Sequence, residues 1–187
     1  MYEYLKGRVE IKGSNLISVE VNGVGFRVLC SQKTSENLHE MKEEKVFIHT
    51  YVREDAIKLY GFYKEEERDL FELLISVSGI GTKLALDILS SYDINQLVNL
   101  IKNENIDLLT KVSGLGAKKA QKLILEVKDK LPHLASDIDM NMREDIIMGL
   151  QSLGYSRKEI LEKTKKISFN YSSIQEGIKE ILSLING

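Results

Sequence analysis

Two stretches of this 187-residue chain carry the residue types that hold an anion. Laid with residue 76 on residue 111, Ser76-Val77-Ser78-Gly79-Ile80-Gly81-Thr82-Lys83-Leu84-Ala85 covers Lys111-Val112-Ser113-Gly114-Leu115-Gly116-Ala117-Lys118-Lys119-Ala120. Val, Ser, both glycines, Lys and Ala coincide, and Ile faces Leu. Glycine has no Cβ and takes positive φ freely, so the backbone can turn sharply and come close to a ligand. A helix opened by such a turn has first-turn amides with no acceptor of their own, and a positive end that suits phosphate oxygen. Lys83 and Lys118, two positions past the second glycine, add a point charge there. One Gly-x-Gly reads as an ordinary helix–helix turn; two copies that both keep the lysine argue for a ligand. The candidate backbone-binding residues are Gly79, Gly81, Thr82, Lys83, Gly114, Gly116, Ala117, Lys118, Lys119 and Lys122. None of them reads a base edge, so recognition would follow shape and backbone rather than sequence.

Other reactive residue types assemble no second chemistry. Glu54 and Asp55 lie between two strand-like runs and read first as a solvated hairpin tip. A nuclease needs several oxygen ligands converging on a cation, and no Asp-x-Asp or His-rich partner stands near this pair. His39, His49 and His133 match no metal-ligand spacing, so no metal and no cofactor is expected. No Gly-x-x-x-x-Gly-Lys-[Ser/Thr] loop occurs, so ATP hydrolysis is not expected of this chain. Cys30 is the single cysteine and reads as a small core residue, consistent with a reducing, cytoplasmic setting. The start Met1-Tyr2-Glu3-Tyr4-Leu5 lacks a signal-peptide layout, and no apolar run approaches membrane-span length. The net charge of −2 does not favour a nucleic acid, but its distribution does. Lysines gather in 111–130, whereas Glu65, Glu66, Glu67, Asp69 and Glu72 gather in 64–72.

The elements that must position these residues fall into three segments. Residues 1–63 read as five or six short strands with one helix near Ser31–Met41, which suggests an oligonucleotide-binding (OB) barrel. Residues 64–131 switch to helical spacing. Leu70, Phe71, Leu74, Ile75 and Val77 make one apolar face, and Asp93 with Gln96 makes a reciprocal cap. Pro132 and the polar residues to 140 read as a linker. Residues 141–187 read as three short helices, started by capping-box spacings at Asn141/Glu144, Ser156/Glu159 and Ser173/Glu176, with Gly154 ending one of them. The expected architecture is α+β and multidomain: barrel, helical middle domain and small three-helix domain.

The duplicated element resembles the paired helix-hairpin-helix motif of DNA repair and recombination proteins. The whole chain resembles the RuvA family, most distinctively in Tyr51-Val52-Arg53-Glu54-Asp55-Ala56-Ile57-Lys58-Leu59-Tyr60-Gly61-Phe62. That resemblance implies a non-catalytic subunit that binds four-way (Holliday) junctions and works as a homotetramer, or as an octamer on DNA. It further implies an acidic pin at Glu54 and Asp55 that repels phosphates where strands cross. A hexameric RuvB-type ATPase would dock on Leu150, Leu153 and Leu182, and a junction resolvase is a further implied partner. Two other readings stand beside it. One is a helix-hairpin-helix glycosylase or nuclease, for which no base-flipping pocket is marked. The other is a single-strand binder stacking bases on Phe26, Phe47, Tyr51 or Tyr60.

Overall fold

Alternation of apolar and polar residues shapes the N-terminal strands, because neighbouring side chains on a strand point to opposite faces. Strand β1 (Tyr4–Gly13) turns Leu5 and Val9 inward, β2 (Leu16–Val21) Ile17 and Val19, and β3 (Val24–Cys30) Val28 and Cys30. Val46 and Ile48 of β4 (Glu43–Val52), Leu59 of β5 (Ile57–Phe62) and Leu38 complete this core. In the computed structural model, which describes residues 1–164 and 174–185 apart from the side chains of 132–142 and 184–185, the five strands close into a barrel. Their order is β1-β2-β3-β5-β4; β3 and β5 run parallel and the other pairs antiparallel. Asn22 (φ 49°) and Gly23 (φ 83°) make the two-residue hairpin between β2 and β3. Helix α1 (Gln32–Asn37) joins β3 to β4 and is capped by Ser31. This is the OB-like barrel expected from the strand pattern, with five strands.

Helix α2 (Glu65–Ser76) buries Leu70, Phe71 and Leu74 completely. Phe71 packs at a tilt against Phe62 at 5.0 Å and Tyr60 at 5.2 Å between ring centres, so barrel and helices share a core through one aromatic cluster. Helices α3 (Thr82–Ser91), α4 (Ile94–Lys102), α5 (Ile106–Leu109) and α6 (Ala117–Val127) follow. The reciprocal cap of α4 has both bonds: the Gln96 amide donates to Asp93 at 2.8 Å and the Asp93 amide donates to Gln96 at 3.2 Å. Residues Met1–Lys130 form one compact unit and Leu131–Gly187 a second.

The second unit differs from the sequence reading at its start. Helix α7 (Leu131–Ser152) is continuous through 132–140, the expected linker, and Asn141 lies inside it rather than at a helix start. Proline in a first turn gives up an amide that would have no partner anyway, so Pro132 opens this helix instead of breaking it. Glu144 pairs not as a cap but with Arg157, whose guanidinium donates to both its oxygens at 2.8 and 2.9 Å. That contact holds the Glu144 carboxyl below its usual range. Gly154, at φ 98°, ends the helix as expected. Ser156 caps α8 (Arg157–Lys163), accepting from the Glu159 amide at 3.2 Å. The start signal at Ser173 lies outside the described residues; α9 (Ile174–Ile185) follows it. Ile146, Ile147, Leu150, Ile160 and Ile181 form this unit's core.

Candidate nucleic-acid interface

Each glycine turn is built in the same way. In the first, the Val77 amide donates to Leu74 O at 3.2 Å and closes α2; the Ile80 amide donates to Val77 O at 3.0 Å, and Gly79 sits at φ 95°. In the second, the Val112 amide donates to Leu109 O at 3.2 Å, the Leu115 amide to Val112 O at 3.0 Å, and Gly114 sits at φ 85°. Ile80 and Leu115, between the glycines, are buried and anchor the turns in the helical core. Positive φ at Gly79 and Gly114 is a conformation that L side chains rarely adopt, which gives these two glycines a structural reason.

The second glycines have no such reason. Gly81 (φ −90°, ψ 172°) and Gly116 (φ −72°, ψ 166°) are extended residues at helix N-caps, and a Cβ added to either would meet nothing within 4 Å. Neither N-cap offers a side-chain acceptor. The first bonds of α3 and α6 run from Ala85 to Gly81 O and from Ala120 to Gly116 O, both at 3.0 Å. The amides of Thr82, Lys83 and Leu84, and of Ala117, Lys118 and Lys119, precede them without an acceptor in the helix. Helices α1, α4, α5 and α8, by contrast, each have a side-chain oxygen on an N-terminal amide, whereas α2 has no side-chain cap bond either. The two helix ends that follow the glycine turns are left open.

The lysines around these ends differ. Lys83 and Lys118 are exposed and have no ion-pair partner among the described residues. Lys122 lies 3.6 Å from Glu126 on its own helix. Lys119 donates to Gly114 O at 3.1 Å. Hydroxyl contacts tie the first turn to the barrel, since Tyr60 Oη donates to Thr82 Oγ1 at 2.9 Å.

Glu54 and Asp55 are exposed at the tip of the β4–β5 hairpin, where the Arg53 amide donates to Ala56 O at 2.9 Å. An open cavity of about 340 Å³ lies between this tip and the start of α3, lined by Tyr51, Arg53, Asp55, Ala56, Lys58 and Thr82. The acidic tip is therefore a neighbour of the first glycine turn, a proximity that sequence spacing did not reveal. Arg53 lies over the Tyr51 ring and donates to its hydroxyl at 2.6 Å.

Two sequence candidates, Tyr60 and Leu150, are corrected by their burial. Of the proposed stacking aromatics, Tyr60 is buried against Phe71, because a strand residue facing α2 serves the shared core. Phe26 and Phe47 are half-buried, and Phe47 lies beneath Lys45. Of the proposed docking leucines, Leu150 is completely buried in the second core, whereas Leu153 is 59% exposed and Leu182 is half-buried. Leu150 shares the inward face of α7 with Ile146 and Ile147, so it cannot meet a partner from within the intact unit. Burial pushes the Cys30 thiol up to about 12, so this cysteine is an inert core residue. Among the described residues no three His, Cys, Asp or Glu side chains converge as a metal site. Nor is any described helix long and apolar enough to cross a membrane.

A closed OB-like barrel carrying two glycine-turn hairpins defines a tandem helix-hairpin-helix protein. Residues 71–129 match the SAM-like helix-hairpin-helix tandem, residues 1–61 the RuvA N-terminal domain and residues 141–186 the RuvA C-terminal domain. A relative from Fusobacterium nucleatum subsp. nucleatum is 40% identical over 97% of this chain and 96% of its own length. One from Clostridium tetani is 40% identical over the full length of both chains. One from Thermodesulfovibrio yellowstonii is 37% identical over all of this chain and 98% of its own. Each of the three is named Holliday junction branch migration complex subunit RuvA. The chain belongs to the RuvA family.

Proposed function

We propose that this chain binds four-way DNA junctions without sequence preference and serves as the non-catalytic scaffold for a RuvB-type ATPase. The observation that carries this reading is the pair of second glycines. Gly81 and Gly116 are neither strained in φ nor crowded by the rest of the chain, yet each stands before a helix end with open amides. A phosphate oxygen approaching those amides supplies the missing reason, since a Cβ there would stand in its path. Lys83 and Lys118 add charge beside it, with Gly79 and Gly114 shaping the turns, Thr82 and Ala117 contributing amides, and Lys122 at the edge.

The names of the relatives support the junction as the ligand. Two weak phosphate grips per chain, multiplied in a tetramer or octamer, would reach all four arms and gain affinity through multivalency. Glu54 and Asp55, beside the first grip, would repel phosphates at the crossing point and disfavour a plain duplex there. The ATPase would be a separate, hexameric chain that docks on the second unit through Leu153 and Leu182. A cytoplasmic role in recombination and repair, including the SOS response and hand-over to a resolvase, completes the reading.

Competition between a four-way junction, a duplex and a single strand of equal total charge tests the ligand. The junction should win by at least about tenfold, with affinity falling steeply as salt rises. A preference for single strand would move the function to the barrel face. Strand cleavage with Mg²⁺ present would make the protein an enzyme.

A further inference from the structure

The repeat sets Leu84 over Lys119, the third residue of each helix that follows a glycine turn. These two side chains cross between the hairpins. A Cβ placed on Gly114 would lie 3.6 Å from Leu84 Cδ1, and one placed on Gly79 would lie 3.9 Å from Lys119 Cε. Each helix therefore brings its third side chain close to the first glycine of the other hairpin. The exchange is reciprocal but chemically unequal. Leu84 offers only apolar contact, whereas Lys119 also donates to its own turn at Gly114 O, 3.1 Å away. Its Cε comes near one turn while its ammonium donates to the other.

We infer that Lys119 is a positioning residue that fixes the separation of the two glycine turns, with Leu84 as its counterpart, and not a phosphate ligand like Lys118. This rests on the reading that both turns hold phosphate. Two grips held at a set spacing bind a stiff backbone better than two that drift, because less freedom is lost on binding. The sequence groups Lys119 with Lys118, since both are lysines at a helix start. One contact separates them: both are exposed with no ion-pair partner among the described residues, but Lys119 also donates to Gly114 O.

Two measurements on full-length variants test the inference, one without DNA and one with it. In the free protein, amide hydrogen exchange is followed at Ile80, whose amide bonds Val77 O in the first hairpin. Lys119→Ala should speed that exchange several-fold although it lies in the second hairpin. Lys119→Met, which keeps most of the stem, should do so less, and Leu84→Ala should loosen Leu115 in return. Unchanged exchange at Ile80 in Lys119→Ala would overturn the brace. In junction binding, Lys118→Met should lower the slope of log affinity against log salt by about 0.9, as expected for one lost phosphate contact. Lys119→Met should weaken binding with the slope nearly intact; a loss equal to that of Lys118→Met would make Lys119 a direct ligand. If the wild-type chain shows no salt-dependent junction binding, the phosphate reading fails, and the exchange result still decides the brace.

Discussion

At Gly79 and Gly114 the backbone takes φ of 95° and 85°, while two residues later Gly81 and Gly116 are extended and open. The four glycines thus divide into a pair required by the fold and a pair that the fold does not require. Gly79→Ala should lower stability by about 1–2 kcal/mol, the cost of holding an L side chain in a left-handed conformation. Chemical denaturation checks it, and an unchanged midpoint would mean that the turn relaxes at no cost. The glycines were legible in the sequence because duplication marked them, but their separate duties were not, since a backbone angle leaves no trace in residue type. Leucines of the second unit show the same limit. Leu150 and Leu153 are both apolar and three apart, yet one is buried and the other 59% exposed. Leu150→Ala should cost about 2–5 kcal/mol of that unit's stability. Leu153→Ala should leave melting within about 0.5 kcal/mol and weaken ATPase stimulation. Equal melting losses in the two variants would refute that division.

Helix α2 joins barrel to hairpins through Phe71, and its first turn holds a half-buried carboxylate. Glu67 accepts from the Tyr63 amide at 3.1 Å and from Thr34 Oγ1 at 3.3 Å, and burial raises its pKa despite those bonds. A carboxyl raised on folding binds its proton more tightly in the native state. Its contribution is therefore full below the ordinary glutamate value and is lost as pH rises through the raised one. Glu67→Gln should flatten that part of the profile of melting temperature against pH; an unaltered profile would show that other groups set it. The acidic hairpin tip belongs to the same scale. Glu54→Gln combined with Asp55→Asn should raise duplex affinity relative to junction affinity by about threefold or more, read by competition, because two repelling charges are removed. An unchanged ratio would leave the tip without a part in selectivity. Strands, the α4 cap and Ser156 were readable from alternation and capping spacing, since both are local. The continuity of α7 was not, because Pro132 signals a break in mid-helix and a start in the first turn.

Across the whole molecule, a net charge of −2 conceals two open helix ends on a lysine-bearing segment and an acidic tip beside the first of them. The order of barrel, hairpins and helical unit was legible because each segment has its own periodicity. The packing of barrel on hairpins through Phe62, Tyr60 and Phe71 was not, because an aromatic facing a second element looks like any other core residue. Nor was the closeness of Asp55 to Thr82, which only the folded chain creates. On the proposed function, binding would depend on bare glycine at the entrance to two helices without a side-chain cap. The most direct test is junction affinity and thermal stability of the double variant Gly81→Ala, Gly116→Ala, measured together at fixed salt. Stability should change by less than about 1 kcal/mol per site, as neither position is strained or crowded, while junction affinity falls at least about tenfold. Wild-type affinity in a folded double variant would contradict the account.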